Sequence, residues 1–566
     1  MKKSVDLYKL GLFWLMYISG IVIVTSILLL CGISIGYLNM TVPLIITVIY
    51  FFYDNQKLEN TVPLVLIAIL ILIGLVVFSG SVYDVTWDGA AYHKQAVGML
   101  KEGWNPVYLQ DTIFNSFRNS VLNVDSQPFL WAEVYPKSTW YFAASLYYIF
   151  GNIEVGKSYT LIFMFIVFCL VYDFISELSN KRSEKIILAL ILALNPIALA
   201  QVNSYYLDGC AACVLILLMI YLPTLTMEEY HRNKKERYLI VFMLIIWGCN
   251  LKFSILFFTA TYCVIILIVN MIKKRGDSVK LFSFFTLSAA FSIIIVGFAP
   301  YITNIFRFKN PFYGFVGESS WMTEERIWDE FGIAGGNNTS RFIISLFGKM
   351  SHGNYHTIPE VLKIPFSVSM DELKYYGYVD TRIGGFGIWS GGIFIVSIVS
   401  LIYLLGFRRK QLHINKQWTF LFSVIVIISI CEMLVLPGTY SARYIGQLWV
   451  LPFFSSCLWM DYRKNKINRK RCIVPIIIFI LCIVNNCWWG GVTLYKIYEG
   501  NCTTATLNSM GESGKQYDVA FFSAAFNGIQ YNLKDHGIDF DVYNADILSG
   551  DDIQTTYSNW MYYQEK

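Results

Sequence analysis

The sequence predicts an all-α polytopic membrane protein of about 13 transmembrane helices, with a small extracytoplasmic α/β unit at its C-terminal end. Three observations carry this expectation. The 566-residue chain is 56% hydrophobic and 17% aromatic but only 15% charged, whereas a soluble globular chain carries about 25% charge. The apolar residues gather in runs, many of them near the roughly 20 residues that cross a bilayer. The lysines and arginines fall in short clusters between those runs, where they act as topology signals. The net charge of +5 therefore points to no nucleic-acid partner.

Taken in order, the runs are Leu12–Ile35, Val42–Phe52, Val62–Gly80, Ser158–Ile175, Ile186–Val202, Tyr206–Leu222, Tyr238–Cys249, Ser254–Ile272, Leu281–Ile302, Phe386–Leu405, Trp418–Leu436, Ile445–Met460 and Cys472–Trp489. Met1-Lys2-Lys3 before the first run reads as a signal anchor with a cytoplasmic N-terminus. A weaker stretch, Trp140–Phe150, breaks the charge pattern if it is counted as a crossing. Left out, it allows Lys181–Lys185, Arg232–Arg237, Lys273-Lys274-Arg275, Arg408-Arg409-Lys410 and Arg463–Arg471 all to lie inside, as the positive-inside rule requires. It is therefore read as a re-entrant or interfacial helix.

This topology divides the chain into N-terminal transmembrane helices (1–80), a first outer loop with interfacial helices (81–150), a transmembrane core (151–306), a second long outer loop (307–385), C-terminal transmembrane helices (386–490) and an outer α/β tail (491–566). In the tail, Tyr517–Phe522 and Ile538–Tyr543 have strand character and Asn527–Lys534 is helix-like. The 12 cysteines sit mostly inside apolar runs, where they behave as small hydrophobes. Cys210 and Cys213 have a C-x-x-C spacing but no metal ligands beside them. No internal repeat is visible.

Chemistry-bearing residues collect at the outer ends of the runs. Asp84 and Asp88 follow the third run and lie four apart, so their carboxylates can face one way. Such a pair suits general-base work or divalent-cation coordination; a solvated juxtamembrane loop is the competing explanation. Tyr92 and His93 follow as adjacent polar aromatics. Asp208, Asn250-Leu251-Lys252, Asp380-Thr381-Arg382 and Ser441-Ala442-Arg443 mark further outer boundaries. A cation there can meet a phosphate, or else snorkel or pair with an outer aspartate.

Trp87-Asp88-Gly89-Ala90-Ala91-Tyr92, followed by Met99-Leu100 and Gly103, resembles the first outer loop of the GT-C membrane glycosyltransferases. Among these, the protein-mannosyltransferase-like and aminoarabinose-transferase-like enzymes are the nearest in pattern. Tyr135-Pro136-Lys137, Tyr141 and Phe150-Gly151 are similar to the start and end of their next segment, and Asp208 falls where the family tends to keep a second outer aspartate. The resemblance covers about the first 260 residues. Two positions depart from the pattern: Gly89 stands where an acidic residue often follows the key aspartate, and Pro136-Lys137 replaces a Lys-Pro-Pro run.

The resemblance implies sugar transfer from a polyprenyl-phosphate donor to a hydroxyl on a glycan, lipid or protein acceptor at the extracytoplasmic face. Asp88 is the expected general base in a single inverting displacement. Asp84 orients or tunes it, or shares a divalent cation (magnesium or manganese) with it. Tyr92, His93, Asp208 and Asn250 are expected substrate contacts, and Lys137, Lys252, Arg382 and Arg443 are expected phosphate-binding cations. A polysaccharide polymerase or ligase using lipid-linked donors, or a flippase of such lipids, remains as an alternative. The nearly charge-free spans, to which Glu432 close to an outer end is an exception, tell against a transporter.

Overall fold

The structure, a computed structural model, describes residues 6–55, 58–108, 127–228, 230–273, 276–317, 337–350, 362–373, 379–380, 382–436, 441–462, 473–522, 524–543, 553–556 and 561–566. Much of the second outer loop and the basic loop Arg463–Arg471 lie outside these residues. The described chain is mostly helical, with a small C-terminal sheet. Helices fall on all the predicted apolar runs. Among the described residues, eight helices are long and apolar enough to cross a membrane, among them Leu7–Leu30, Glu59–Gly80, Ile153–Glu177 and Phe253–Ile272. Others, such as Asp208–Thr224, are apolar but shorter.

The helix Asp208–Thr224 is the centre of the fold. It is apolar around its whole circumference, and every one of its residues is buried, as expected of a helix surrounded by others. It packs on Tyr159–Phe174, Lys234–Asn250, Phe253–Ile272, Lys416–Val435 and the 3-10 segment Ala442–Trp449. Cys210 and Cys213 belong to this helix and are buried. Because the helix begins at Asp208, the packing fixes that carboxylate at the end of the bundle axis.

Lipid-soluble helices gain little hydrophobic energy from one another, so packing and interhelical hydrogen bonds hold them together. Buried indoles supply several of these bonds. Trp14 Nε1 donates to the Ala68 carbonyl at 2.9 Å, Trp247 Nε1 to Ser19 Oγ at 3.0 Å, Trp418 Nε1 to the Ile220 carbonyl at 3.1 Å and Trp449 Nε1 to the Ile191 carbonyl at 2.9 Å. Each bond satisfies the polar tip of a large apolar side chain.

The weak stretch around Trp140 forms a helix of 13 residues, Ser138–Phe150, too short to cross a membrane. It ends at Gly151, which takes the left-handed conformation (φ 65°) and donates its N–H to the Tyr147 carbonyl, a turn that glycine adopts without steric cost. The helix packs on Leu7–Leu30 and on Lys94–Lys101.

The last helix corrects the sequence reading. The last apolar run ends at Trp489, yet one continuous helix runs from Ile473 to Ser513, 41 residues, or about 60 Å at 1.5 Å per residue. The α/β unit therefore starts at Gln516 rather than at 491. Its first two strands match the reading closely: β1 (Gln516–Phe521) pairs in parallel with β2 (Asp539–Tyr543). The connection between them holds the short helical segments Ala524–Ile529 and Gln530–Asp535. Two strands that were not foreseen, β3 (Gln554–Thr555) and β4 (Met561–Glu565), complete a sheet in the order β2-β1-β4-β3.

This unit docks on the segment 82–158 that follows the helix Leu58–Gly80. Asp535 accepts from the Tyr147 hydroxyl at 2.6 Å and from the Ile153 N–H at 2.7 Å. Tyr531 lies against Gly98, where an added Cβ would collide with its ring. Asn532 reaches furthest: its amide donates to Glu154 Oε1 at 2.8 Å, and its carbonyl accepts from Lys94 Nζ at 3.0 Å. Lys94 also pairs with Glu154 at 2.6 Å, and Lys157 pairs with the other Glu154 oxygen at 2.5 Å. All three charged side chains are buried. Buried charges persist only when paired and hydrogen-bonded, so Asn532 closes a set that the first loop leaves incomplete.

Candidate functional site

Three carboxylates and three cations from distant parts of the chain meet at the N-terminal end of the central helix. Asp88 closes the segment after the helix Leu58–Gly80, just before the π turn Gly89–His93. Lys252 directly precedes the helix Phe253–Ile272, and Arg443 lies in the 3-10 segment Ala442–Trp449. Arg443 is the hub. Its guanidinium lies 3.5 Å from Asp88 Oδ2 and 3.3 Å from Asp208 Oδ2, and it also pairs with Asp380. Lys252 Nζ holds the other Asp208 oxygen at 2.9 Å, and Arg382 holds Asp380 at 3.2 Å.

Backbone contacts fix these partners. The Ala442 N–H donates to the Arg382 carbonyl at 3.1 Å, which ties the two arginine-bearing segments together. Gln201 accepts the Gly209 N–H at 2.8 Å and approaches Asp208 Oδ2 at 3.4 Å. Aromatic faces surround the cations: Lys252 sits over the Tyr444 ring at 3.9 Å, and Arg443 lies 5.0 Å from the Tyr206 ring. A narrow pocket beside the cluster is lined by Asp208, Ser254, Arg443, Tyr444 and Gln447.

The three aspartates balance Arg443, Lys252 and Arg382, so the cluster is neutral as it stands. Asp88 is its loosest member. Burial, opposed by Arg443 and reinforced by Asp380, pushes the Asp88 carboxyl up to about 6. A carboxylate poised there can accept a proton near neutral pH.

The π turn explains Gly89. A Cβ at that position would run into the Asp84 carboxylate, so no acidic residue fits after Asp88. Asp84 and Asp88 do not share partners, contrary to the expectation from their spacing. Asp84 is buried, its two oxygens accepting the Thr86 N–H and the Tyr205 N–H at 2.9 Å each. It shapes the loop that carries Asp88. A metal held by this pair does not fit these contacts, and among the described residues no grouping of three His, Cys, Asp or Glu side chains is placed to hold one.

The other expected residues divide. Tyr92 is packed edge-on against Trp131 and within reach of the Asp88 charge. His93 accepts from Trp140 Nε1 at 2.7 Å through Nδ1 and lies near parallel to the Tyr205 ring. Burial lowers its pKa well below the usual histidine range, so it is a neutral support for the loop.

Lys137 and Asn250 are turned away from the cluster. Lys137 donates to the Glu133 and Tyr135 carbonyls at 2.8 and 2.7 Å, and its burial lowers its pKa well below that of a free lysine. Asn250 donates to the Ile246 and Ser292 carbonyls at 3.0 and 2.9 Å, which braces the π segment Ser292–Val296. Both fold the first half of the chain rather than greet a ligand.

Asp380 is the member that sequence reasoning passed over, having noticed it only as a neighbour of Arg382. Its signal was the same as theirs, an ionisable residue close to an apolar run. A second cavity of about 600 Å³ lies among Phe174, Tyr230, His231, His413 and Trp418. There His231 already bridges Asp173 and Glu177 at 2.8 and 2.5 Å. It too gathers charged groups, Asp173 being closed by both His231 and Arg232, but it holds none of the residues that the sequence singled out, so the Asp88 cluster is taken as the candidate site. No protein-family model matches the chain, and no curated protein is significantly similar to it.

Proposed function

We propose that the protein is a GT-C-like membrane glycosyltransferase that moves a sugar from a polyprenyl-phosphate donor to an acceptor hydroxyl at the extracytoplasmic face. The observation that carries this reading is the convergence of Asp88 with Asp208 and Asp380 on the single guanidinium of Arg443. A site for this reaction needs one base and several cations, and this grouping supplies both.

The charge balance suggests an order of events. A phosphate arriving at Arg443 and Lys252 competes with the carboxylates already there. Asp88, the most distant of the three at 3.5 Å, is the one most easily displaced. Freed from Arg443, it becomes a better base as the donor binds. It takes the proton of the acceptor hydroxyl while that oxygen bonds to the anomeric carbon. The bond from that carbon to the phosphate oxygen breaks, and the anomeric configuration inverts. Polyprenyl phosphate leaves with the bonding electrons, its negative charge held by Arg443, Lys252 and Arg382.

The full topology belongs to the same proposal: thirteen spans, a cytoplasmic N-terminus, and the site with the C-terminal unit outside. The basic clusters between helices support it by the positive-inside rule. The reaction is tested with purified protein in nanodiscs, a panel of polyprenyl-phosphate-linked hexoses and pentoses, and a set of glycan, lipid and peptide hydroxyl acceptors, reading free polyprenyl phosphate by mass spectrometry. Wild type releases it from one donor and Asp88→Asn does not. If no donor is consumed while a pyrophosphate-linked oligosaccharide is, the polymerase or ligase reading replaces this one.

A further inference from the structure

The cavity of about 600 Å³ lies at the other end of the bundle from Asp88. Its Met227 stands just past the C-terminal end of the central helix Asp208–Thr224, whose 17 residues span about 25 Å. The volume is that of an ordinary small-ligand site, about 300–1,000 Å³. Three helix ends enclose it. Phe174 and Glu177 close one, Tyr230 and His231 precede Lys234–Asn250, and His413 and Ile414 precede Lys416–Val435. The floor is apolar: Phe174, Met227, Ile414 and Trp418 are all buried, and the Phe174 ring meets those of Trp418 and Tyr230 at 4.9 and 6.4 Å. The rim is polar and open, with His413 and Asn415 exposed and the His231 side chain 30% exposed. An apolar pit with a polar rim, set where apolar helices give way to charged chain, matches the shape of an amphiphile.

The charge around the rim decides the sign of that amphiphile. The three segments that build the cavity, 173–185, 227–237 and 408–418, hold eleven lysines and arginines against six aspartates and glutamates. They therefore contain an excess equal to the net +5 of the whole chain. The acids nearest the cavity are already engaged. Asp173 is held by His231 and Arg232, and Glu177 by His231. Asp461 accepts the N–H groups of His413 and Ile414 at 2.5 and 2.8 Å. The cations are not: Arg409, Lys410 and Lys416 are exposed and pair with no carboxylate among the described residues. Lys185 is drawn to the rim by a bond of 2.8 Å to Ser176 Oγ, beside Glu177. One wall polar group is also unspent, the Tyr230 hydroxyl being shut from water without a partner among the described residues. Basic pockets between helices on the inner side of a membrane suit anionic headgroups.

We infer that this cavity is a binding site for one anionic phospholipid, its acyl portion on the Phe174–Trp418 floor and its phosphate among Lys185, Arg409, Lys410 and Lys416. The site is separate from the Asp88 cluster, and its test requires no turnover. Full-length protein in mild detergent is equilibrated with equimolar phosphatidylglycerol and phosphatidylcholine, and the lipids retained are counted by native mass spectrometry. Wild type keeps one phosphatidylglycerol, preferred over phosphatidylcholine about 10-fold or more, as several cations near a headgroup imply. The variant R409Q/K410Q/K416Q changes only exposed side chains, so it folds, and it loses the preference. Met227→Trp fills the floor and loses the bound lipid. Asp88→Asn retains the lipid like wild type, so a failed transfer assay leaves this result standing. Equal retention of the two lipids by wild type, or an unchanged preference in the triple variant, overturns the inference. A folded Met227→Trp protein that keeps the lipid also overturns it. Displacement of the lipid by millimolar inorganic phosphate or ATP overturns it as well, making the cavity a site for a soluble phosphate compound.

Discussion

Asp88→Asn should make the protein more stable and less active at once, and the size of the stability gain can be worked out. The carboxyl sits at about 6 in the folded chain against an ordinary 3.8. A raised folded value means that the native state penalises the ionised form. The penalty is absent below pH 4, grows as pH rises from 4 to 6, and is constant above that. A gap of two units is worth about 3 kcal/mol at most. Asparagine keeps the shape without the charge, and Arg443 remains paired with Asp208 and Asp380. Thermal unfolding of both forms in detergent, measured from pH 4 to pH 8, should show curves that coincide at the acid end and separate with Asn higher above pH 6. Sugar transfer falls on the order of 100-fold or more at every pH where wild type works, in line with loss of a general base. An Asn variant that is less stable at pH 8, or that keeps near-normal turnover, would refute both the strained carboxylate and its role.

Other expectations follow from the same contacts. Transfer by wild type should decline as pH falls through about 6, because a protonated Asp88 cannot accept a proton; a flat profile from pH 5 to 8 contradicts the assignment. Lys252→Met should cost transfer far more than Lys534→Met, about 1.5–3 kcal/mol in kcat/KM for a lost charged contact to phosphate, since Lys534 pairs with exposed Glu102 and lies over the Tyr531 ring. Arg443→Met removes the hub of three carboxylates and should destabilise the fold by about 3–5 kcal/mol, seen as loss of monodisperse protein in detergent, whereas Arg382→Met should leave it folded. In a cysteine-free background, Lys515→Cys should react with an impermeant maleimide in whole cells and Lys235→Cys only after permeabilisation; the reverse pattern rejects the proposed orientation.

Much of the site was legible because the sequence reports depth in the membrane. Asp88, Asp208, Lys252 and Arg443 each stand where an apolar run meets polar chain, so alternating topology assigns them one level. That is a single coordinate out of three. Lys137 and Asn250 share the level, yet their side chains turn into backbone carbonyls, and no periodicity reveals which way a boundary residue faces. The four-residue spacing of Asp84 and Asp88 misled because the chain between them is not a regular helix. The Asp84 carboxylate occupies the space beside Gly89 instead. Glu154 and Lys157 gave no signal at all: they lie beside an apolar helix with ordinary interfacial composition, and they are buried because Leu58–Gly80 and Ser138–Phe150 pack over them, with Asn532 added from the C-terminal unit. The strands of that unit were visible in their alternation, but its partner was not, since contacts between residues hundreds of positions apart leave no local trace.

The position of Asn532 has a consequence for how the molecule is made. Lys94, Glu154 and Lys157 emerge early in synthesis, but the amide that completes their hydrogen bonding arrives almost 400 residues later. Until then the loop carrying Asp88 stands over an unfinished ionic pit that water must fill. The helices can insert and pack one after another as they appear, as domains do during translation. The loop settles only when the segment carrying Asn532, which follows the 41-residue helix, has docked on it. A ribosome that stops before Asn532 leaves Lys94 and Glu154 without that amide, so the shape of an early loop is completed by a segment made hundreds of residues after it.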